Sequence, residues 1–304
     1  MNYYEDEHEH SGHEHFEMNR FKETFEKYAP TRPDSEIAEK VNTLISKCFN
    51  ENNNQKTLKT LHNCIDLTTL NATDTKESVW KMVEKQVNDY EGTRPDVHNI
   101  AAVCVYPLFI DTVKQALTVQ DVKIASVTGG FPASQTFAEV KIAETAMAVM
   151  QGAEEIDTVM NLGYFFEEDY EALTDELSEI KESCRGATLK VILETGALGT
   201  VANIRKAAIL ALYSGADFIK TSTGKGFPGA TPEAVYVMCN VLKEYASKTG
   251  RKVGIKVAGG VRTTEDAVKY YTIVKEILGY EWLNKKLFRI GASSLLSELE
   301  SKII

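Results

Sequence analysis

From about residue 60 onward, short apolar runs rich in β-branched residues alternate with longer segments of helical period. The runs are CIDLT (64–68), IAAVCVY (100–106), KIASVT (123–128), EIDTVM (155–160), LKVILE (189–194), DFIKTS (217–222), VGIKVAG (253–259) and LFRIGA (287–292). The helical segments between and after them cover 75–90, 107–118, 134–150, 170–184, 201–213, 231–248 and 263–278, with a short last one from Ser293. This alternation constrains the fold more than any other feature, because parallel strands need a crossover between them and a helix is the usual one. Several helices open on recognisable caps, such as Thr231 before Pro232, or Thr263 three residues ahead of Asp266. Eight βα units in about 250 residues is the arithmetic of a TIM barrel. An open doubly wound sheet usually has fewer strands and a switch point, which this even spacing lacks. The expected fold is therefore α/β, a TIM (β/α)8 barrel over 56–304. It is preceded by an acidic, His-rich extension over 1–55, partly disordered and with one helix near 35–49.

Composition narrows the partners. Lys and Arg total 34 against 44 Asp and Glu, a formal charge of −10, which is a poor footprint for nucleic-acid binding. The five cysteines, Cys48, Cys64, Cys104, Cys184 and Cys239, are scattered without CxxC spacing. They suggest neither a disulfide framework nor a zinc site, and a reducing cytoplasm is the expected setting. The amino terminus has neither a basic start nor an apolar run, and no segment reaches the roughly 18 apolar residues of a membrane span. No membrane partner is expected.

Strand parity picks out the residues that could carry chemistry, since alternate side chains face opposite sides of a sheet. In DFIKTS an outward Ile219 turns Phe218 and Lys220 inward. In VGIKVAG the outward set Val253, Ile255 and Val257 turns Gly254 and Lys256 inward, and in EIDTVM an outward Ile156 turns Asp157 inward. LKVILE is ambiguous by itself; if its polar parity faces in, Lys190 adds a deeper cation that Asp66 in the first strand could balance. A single strand lysine is most simply a member of a structural ion-pair network. Two inward lysines beside an aspartate favour chemistry. Burial and a neighbouring ammonium both oppose charging, and a catalytic lysine can be brought from near 10.4 to roughly 7–8. The neutral amine that results attacks carbonyl carbon to form a Schiff base.

A second cluster points to phosphate. STGKG (222–226) supplies Lys225, AGGVR (258–262) supplies Gly259, Gly260 and Arg262, and GASS (291–294) supplies Ser293 and Ser294. Each Gly-rich turn alone most simply closes a βα connection. Three at the ends of consecutive strands match the recurrent phosphate site of this fold. The expected ligand is a small phosphorylated carbonyl compound. The histidines His8, His10, His13 and His15 alternate with carboxylates and read as a solvated tail, so no metal is assigned. Cys104 faces inward late in the second strand and reads as a small buried hydrophobe.

IDLTTLN (65–71), AAVCVYP (101–107), GADFIKTSTGK (215–225), GIKVAGGVR (254–262) and FRIGASSLL (288–296) together resemble the deoxyribose-phosphate aldolase family. The resemblance runs in order from about residue 60 to 300. It implies a TIM-barrel lyase that reversibly cleaves 2-deoxy-D-ribose 5-phosphate to acetaldehyde and D-glyceraldehyde 3-phosphate, without metal or organic cofactor, in deoxyribonucleotide catabolism. By matching motif it makes Lys220 the Schiff-base former, Lys256 the ammonium that lowers its pKa, and Asp157 the proton-transfer carboxylate. It also places Asp66, Cys104 and Lys190 along the same pocket, and Lys225, Gly259, Gly260, Arg262, Ser293 and Ser294 around the phosphate.

The sequence departs from the family in three places. Val257 stands where many members have proline, and the chain carries no tyrosine after Tyr280, where some members use a terminal tyrosine for proton transfer. Its amino-terminal extension is longer than in short members; the helix near 35–49 is expected either to pack under the barrel or to form a subunit contact, as in a homodimer. A phosphosugar isomerase on the same barrel would use a carboxylate as base and tolerate Lys220→Arg. A non-catalytic phosphosugar sensor would have no need of two facing lysines.

Overall fold

Successive strands pair in chain order, all parallel, and the eighth closes onto the first. They are β1 (Ile65–Thr68), β2 (Ala102–Val105), β3 (Lys123–Thr128), β4 (Glu155–Val159), β5 (Thr188–Ile192), β6 (Phe218–Lys220), β7 (Gly254–Ala258) and β8 (Phe288–Ala292). The architecture is the expected TIM barrel. This computed structural model describes residues 20–88 and 97–303. The histidines at 8, 10, 13 and 15 lie outside the described residues.

Among the described residues from 34 onward, the α-helices are α1 (Asp34–Asn52), α2 (Gln55–Asn63), α3 (Lys76–Val83), α4 (Ile110–Ala116), α5 (Ala138–Gln151), α6 (Leu162–Phe166), α7 (Tyr170–Ser183), α8 (Thr195–Leu198), α9 (Val201–Tyr213), α10 (Pro232–Thr249), α11 (Thr264–Leu278) and α12 (Leu295–Lys302). The capping residues act as their sequence implies. Thr231 and Thr263 each accept the backbone N–H three residues on, at 3.1 Å in both cases. Among the described residues no helix is long and apolar enough to cross a membrane.

Several elements are shorter than the apolar runs that announce them, and β6 shows why. Thr221 would extend that strand, but its Oγ1 donates to the Ala258 carbonyl at 2.9 Å and accepts the Ala258 N–H at 3.0 Å. A side chain thus takes over part of the ladder, and the chain is free to turn. Helix α5 starts at Ala138 rather than near 134, because Ser134 is left-handed (φ 59°) and Phe137 extended.

The described part of the extension is helical over 20–26 and again over α1, one stretch more than the sequence suggests. Ile37 and Val41 of α1 are buried in the main core, and the helix lies along α10 and α11 on the outer wall. Asn52 Nδ2 donates to Thr272 Oγ1 at 3.3 Å, and Lys275 reaches Glu51 at 2.9 Å. Helix α2, which sequence patterning does not separate, runs directly into β1.

The two faces of the strands differ sharply. Outward residues such as Val103, Ile156, Val191, Ile219, Ile255 and Ile290 join the large core beneath the helices. The lumen has an apolar side, with Ala102, Cys104, Ala125, Val127 and Leu70 capped by Tyr106 and Phe131. Its other side is charged. Low in the lumen, Gly254 leaves room for the Phe218 ring, because a Cβ at residue 254 would stand 2.3 Å from Phe218 Cε1. Gly254→Ala is expected to destabilise the protein by roughly 1–3 kcal/mol through overpacking. Thermal and chemical unfolding of the two proteins measure this, and equal midpoints would contradict it.

Candidate active site

Register places the inward residues of adjacent strands side by side. Lys220 and Lys256 are Cα partners across β6 and β7, Asp157 and Lys190 across β4 and β5, and Lys256 and Arg289 across β7 and β8. Their side chains therefore enter the same part of the lumen. Asp157 Oδ2 accepts from Lys220 Nζ at 2.8 Å and from Lys256 Nζ at 2.7 Å, while its Oδ1 lies 3.0 Å from Lys190 Nζ. Lys256 also reaches Asp66 Oδ2 at 2.6 Å. Gly291 leaves space for that lysine, since a Cβ there would stand 3.0 Å from Lys256 Cε.

Below these contacts, Lys190 pairs with Glu155 at 2.6 Å and with Asp66 at 3.0 Å. Arg289 grips Glu155 with both terminal nitrogens, at 2.7 and 2.9 Å, and reaches Asp66 Oδ1 at 2.7 Å. All seven residues are buried. Four potential cations (Lys190, Lys220, Lys256, Arg289) face three anions (Asp66, Glu155, Asp157), so full protonation would leave 4 − 3 = +1 in the lumen. Unpaired buried charge is costly, and one lysine is favoured to give up its proton.

The number of carboxylate partners decides which one. Lys190 has three, Lys256 two and Lys220 one. Burial pushes the Lys220 pKa below the ordinary lysine value, and the Lys256 ammonium adds to this against the pull of Asp157. For Lys256 burial acts the same way but is outweighed by Asp157 and Asp66, so its pKa is raised. Lys190 is raised further by the same balance. Burial would raise Asp157, but the three lysines overcome it and hold the carboxyl well below its usual range. The arrangement thus sets the lysine that loses its proton most readily beside a lysine and a carboxyl group that are both biased toward their charged forms.

Above Lys220 opens a cavity of about 290 Å³, lined at its rim by Lys225, Gly259, Gly260, Arg262 and Ser293. Gly259 and Gly260 have φ of 93° and 80°, a backbone that side-chain-bearing residues seldom adopt. Of the six residues expected around the phosphate, Ser294 stands apart; it is exposed where α12 begins and does not line the cavity, and Asp66, Cys104 and Lys190, expected along the same pocket, are buried and do not line it either. Cys104 lies on the apolar wall, and burial raises its thiol pKa, as suits a small hydrophobe.

The chain's residues 60–298 match the model of the DeoC/LacD family aldolases. The chain belongs to that family. It is 42% identical over 248 residues to the deoxyribose-phosphate aldolase of Homo sapiens, covering 79% of this chain and 78% of the human protein. The mouse (Mus musculus) deoxyribose-phosphate aldolase is 43% identical with the same coverage. Among solved structures, the tetrameric deoxyribose phosphate aldolase of Aeropyrum pernix superposes with a TM-score of 0.64 at 28% identity, over 81% of this chain and 92% of that one.

Four residues of this aldolase's site escape motif reading. Glu155 and Arg289 complete the lower layer, and strand parity could have found both, since Glu155 shares the parity of Asp157 and Arg289 alternates with the outward Phe288 and Ile290. Thr223 lines the cavity and Glu194 holds Thr223, both beyond the ends of their strands, where parity gives no guidance. Replacing Lys256 by methionine should raise the Lys220 pKa by about one pH unit or more, because a like charge disappears and Asp157 is freed. The pH dependence of Lys220 labelling by cyanate, followed by peptide mapping, measures it; an unchanged or lower midpoint would contradict the charge balance.

Proposed function

We propose that this protein cleaves 2-deoxy-D-ribose 5-phosphate reversibly to acetaldehyde and D-glyceraldehyde 3-phosphate, with Lys220 as the Schiff-base nucleophile. The observation that carries the reading is a buried lysine with a lowered pKa, 2.8 Å from a carboxylate it shares with a second lysine whose pKa is raised. The family and its deoxyribose-phosphate aldolase relatives support the same substrate.

In the cleavage direction Lys220 Nζ adds to C1 of the open-chain sugar and water leaves, giving an iminium. The C3 hydroxyl loses its proton, the C2–C3 bond breaks, and its electron pair flows into the iminium to form an enamine. Asp157, held as a carboxylate, is placed to accept and return protons through water. Glyceraldehyde 3-phosphate departs, C2 of the enamine is protonated, and water releases acetaldehyde and the free amine. Lys225, Arg262, Ser293 and the backbone amides of Gly259 and Gly260 would hold the phosphate at the rim. Ser294 would act only through the start of α12.

Self-association belongs to the same reading. The outer face of α5 exposes Val140, Met147 and Met150, with Phe137 just before it, all on one stripe and each at least half exposed. We infer that a second copy covers this stripe in a homodimer. The five cysteines are free thiols, four of them buried, which suits the reducing cytoplasm expected from sequence.

Incubation with acetaldehyde and borohydride should add a reduced two-carbon group to Lys220, and Lys220→Met should lose activity by about a thousandfold or more. Peptide mapping decides the first and steady-state kinetics the second; an active enzyme with unmodified Lys220 would sink the proposal. For self-association, light scattering should show a dimer that Met147→Glu with Met150→Glu converts to monomer. A wild-type monomer, or a double variant that stays dimeric, would remove α5 from the interface.

A further inference from the structure

Where β5 ends, the chain turns through Glu194 with φ 56° and ψ 61°, a left-handed conformation that is unfavourable for any residue bearing a Cβ. The turn is held from both sides. Thr195 N donates to the Thr221 carbonyl at 2.9 Å, and Ala197 N returns to the Glu194 carbonyl at 2.9 Å. Helix α8 packs so closely on the loop after β6 that a Cβ at Gly196 would meet the Pro228 carbonyl oxygen.

This strained turn aims a buried carboxyl group at the loop after the Schiff-base lysine. Glu194 is 2% exposed, and its Oε1 accepts the Thr223 N–H at 3.2 Å while its Oε2 lies 2.5 Å from Thr223 Oγ1. Thr223 Oγ1 in turn accepts the Lys225 N–H at 3.0 Å and lies 3.2 Å from the Lys225 carbonyl oxygen. One side chain therefore organises the backbone from residue 223 to 225. Among the described residues no lysine or arginine forms an ion pair with Glu194, in contrast to Asp66, Glu155 and Asp157. Burial pushes its carboxyl above the ordinary range, and the hydrogen bonds from Thr223 oppose this.

We propose that Glu194 is a positioning residue for the phosphate end of the substrate, holding Thr223 and with it the turn that carries Lys225 over the cavity. The inference rests on the aldolase reading given above. The single proton of the Thr223 hydroxyl can serve either of two patterns. With Glu194 ionised, the hydroxyl donates to the carboxylate. With Glu194 protonated, the carboxyl donates to Oγ1 and the hydroxyl turns to the Lys225 carbonyl. Both patterns keep the turn, so a side chain with one acceptor and one donor, such as glutamine, can replace glutamate, whereas alanine cannot.

The test compares wild type, Glu194→Gln and Glu194→Ala on 2-deoxyribose 5-phosphate and on unphosphorylated 2-deoxyribose. In Glu194→Ala the KM for the phosphorylated sugar should rise about tenfold or more, as expected for loss of hydrogen bonds to a buried carboxyl. Its kcat/KM for 2-deoxyribose should stay within about threefold of wild type, so the preference for the phosphate collapses. Glu194→Gln should keep that preference within about threefold. Equal loss on both sugars, or an undiminished preference in Glu194→Ala, would overturn the role. Acetaldehyde trapping runs alongside: a wild type without a Lys220 adduct overturns the aldolase reading, whereas an adduct without any preference for the phosphorylated sugar overturns only the role of Glu194. Should Glu194→Ala fail to fold by circular dichroism, Thr223→Val carries the same comparison, and an undiminished preference there overturns the role too.

Discussion

The carboxylate of Asp157 is the contact on which the lumen depends. Three lysines converge on it from three strands, at 2.8, 2.7 and 3.0 Å. Without that anion, a barrel interior could not hold so many ammonium groups, because each one leaves water at a cost of several kcal/mol unless it is paired. The remaining anions are spent on Lys190, Lys256 and Arg289, and Lys220 is left with a share of one carboxylate. Its depressed pKa is thus a property of the whole cluster. Burial lowers the Lys220 pKa, and a single shared carboxylate does not offset it.

The barrel makes this arrangement reproducible. Because side chains alternate along a strand, a slip of one residue in β6 would turn Lys220 out among the helices and put Ile219 in the lumen. The closed ladder forbids such a slip, as each strand is paired on both sides. Glycines at 254 and 291 are small where Phe218 and Lys256 need volume. The opposite wall, built from Ala102, Cys104, Ala125 and Val127, presents no charge and keeps the dielectric low. Fold and pKa are therefore set by the same alternation.

That alternation is also why so much was legible in the sequence. The eight runs, the barrel, and the inward direction of Lys220, Lys256 and Asp157 follow from period and parity. The ambiguity at Lys190 resolves because Val191 packs outward and Asp157 lies beside it in register. Strand ends were less legible, because features such as the Thr221 side chain replacing a ladder bond leave no periodic trace. Helix α2 merges with α1 in hydrophobic pattern and is separated by a cap at Asn54, whose side chain accepts from Thr57 N at 3.1 Å. Glu194 was unreadable for a different reason: its direction comes from a left-handed backbone that periodicity arguments assume does not occur.

On the aldolase reading, the same charge count explains why the cycle turns over. Once Lys220 has given up its proton, as the reaction requires, the seven-residue cluster balances at three cations and three anions. Iminium formation restores the excess positive charge beside Asp157, which stabilises it, and beside Lys256, which does not. Breaking the C2–C3 bond moves an electron pair into the iminium and returns the cluster to balance as the enamine. The fixed ammonium of Lys256 therefore favours the step that discharges the iminium, while Asp157 keeps the iminium from being too unstable to form. Electrostatic catalysis of this kind requires charges that do not relax as the reaction proceeds. Lys256 is held between two carboxylates and Arg289 by a bidentate grip on Glu155, so neither can swing away.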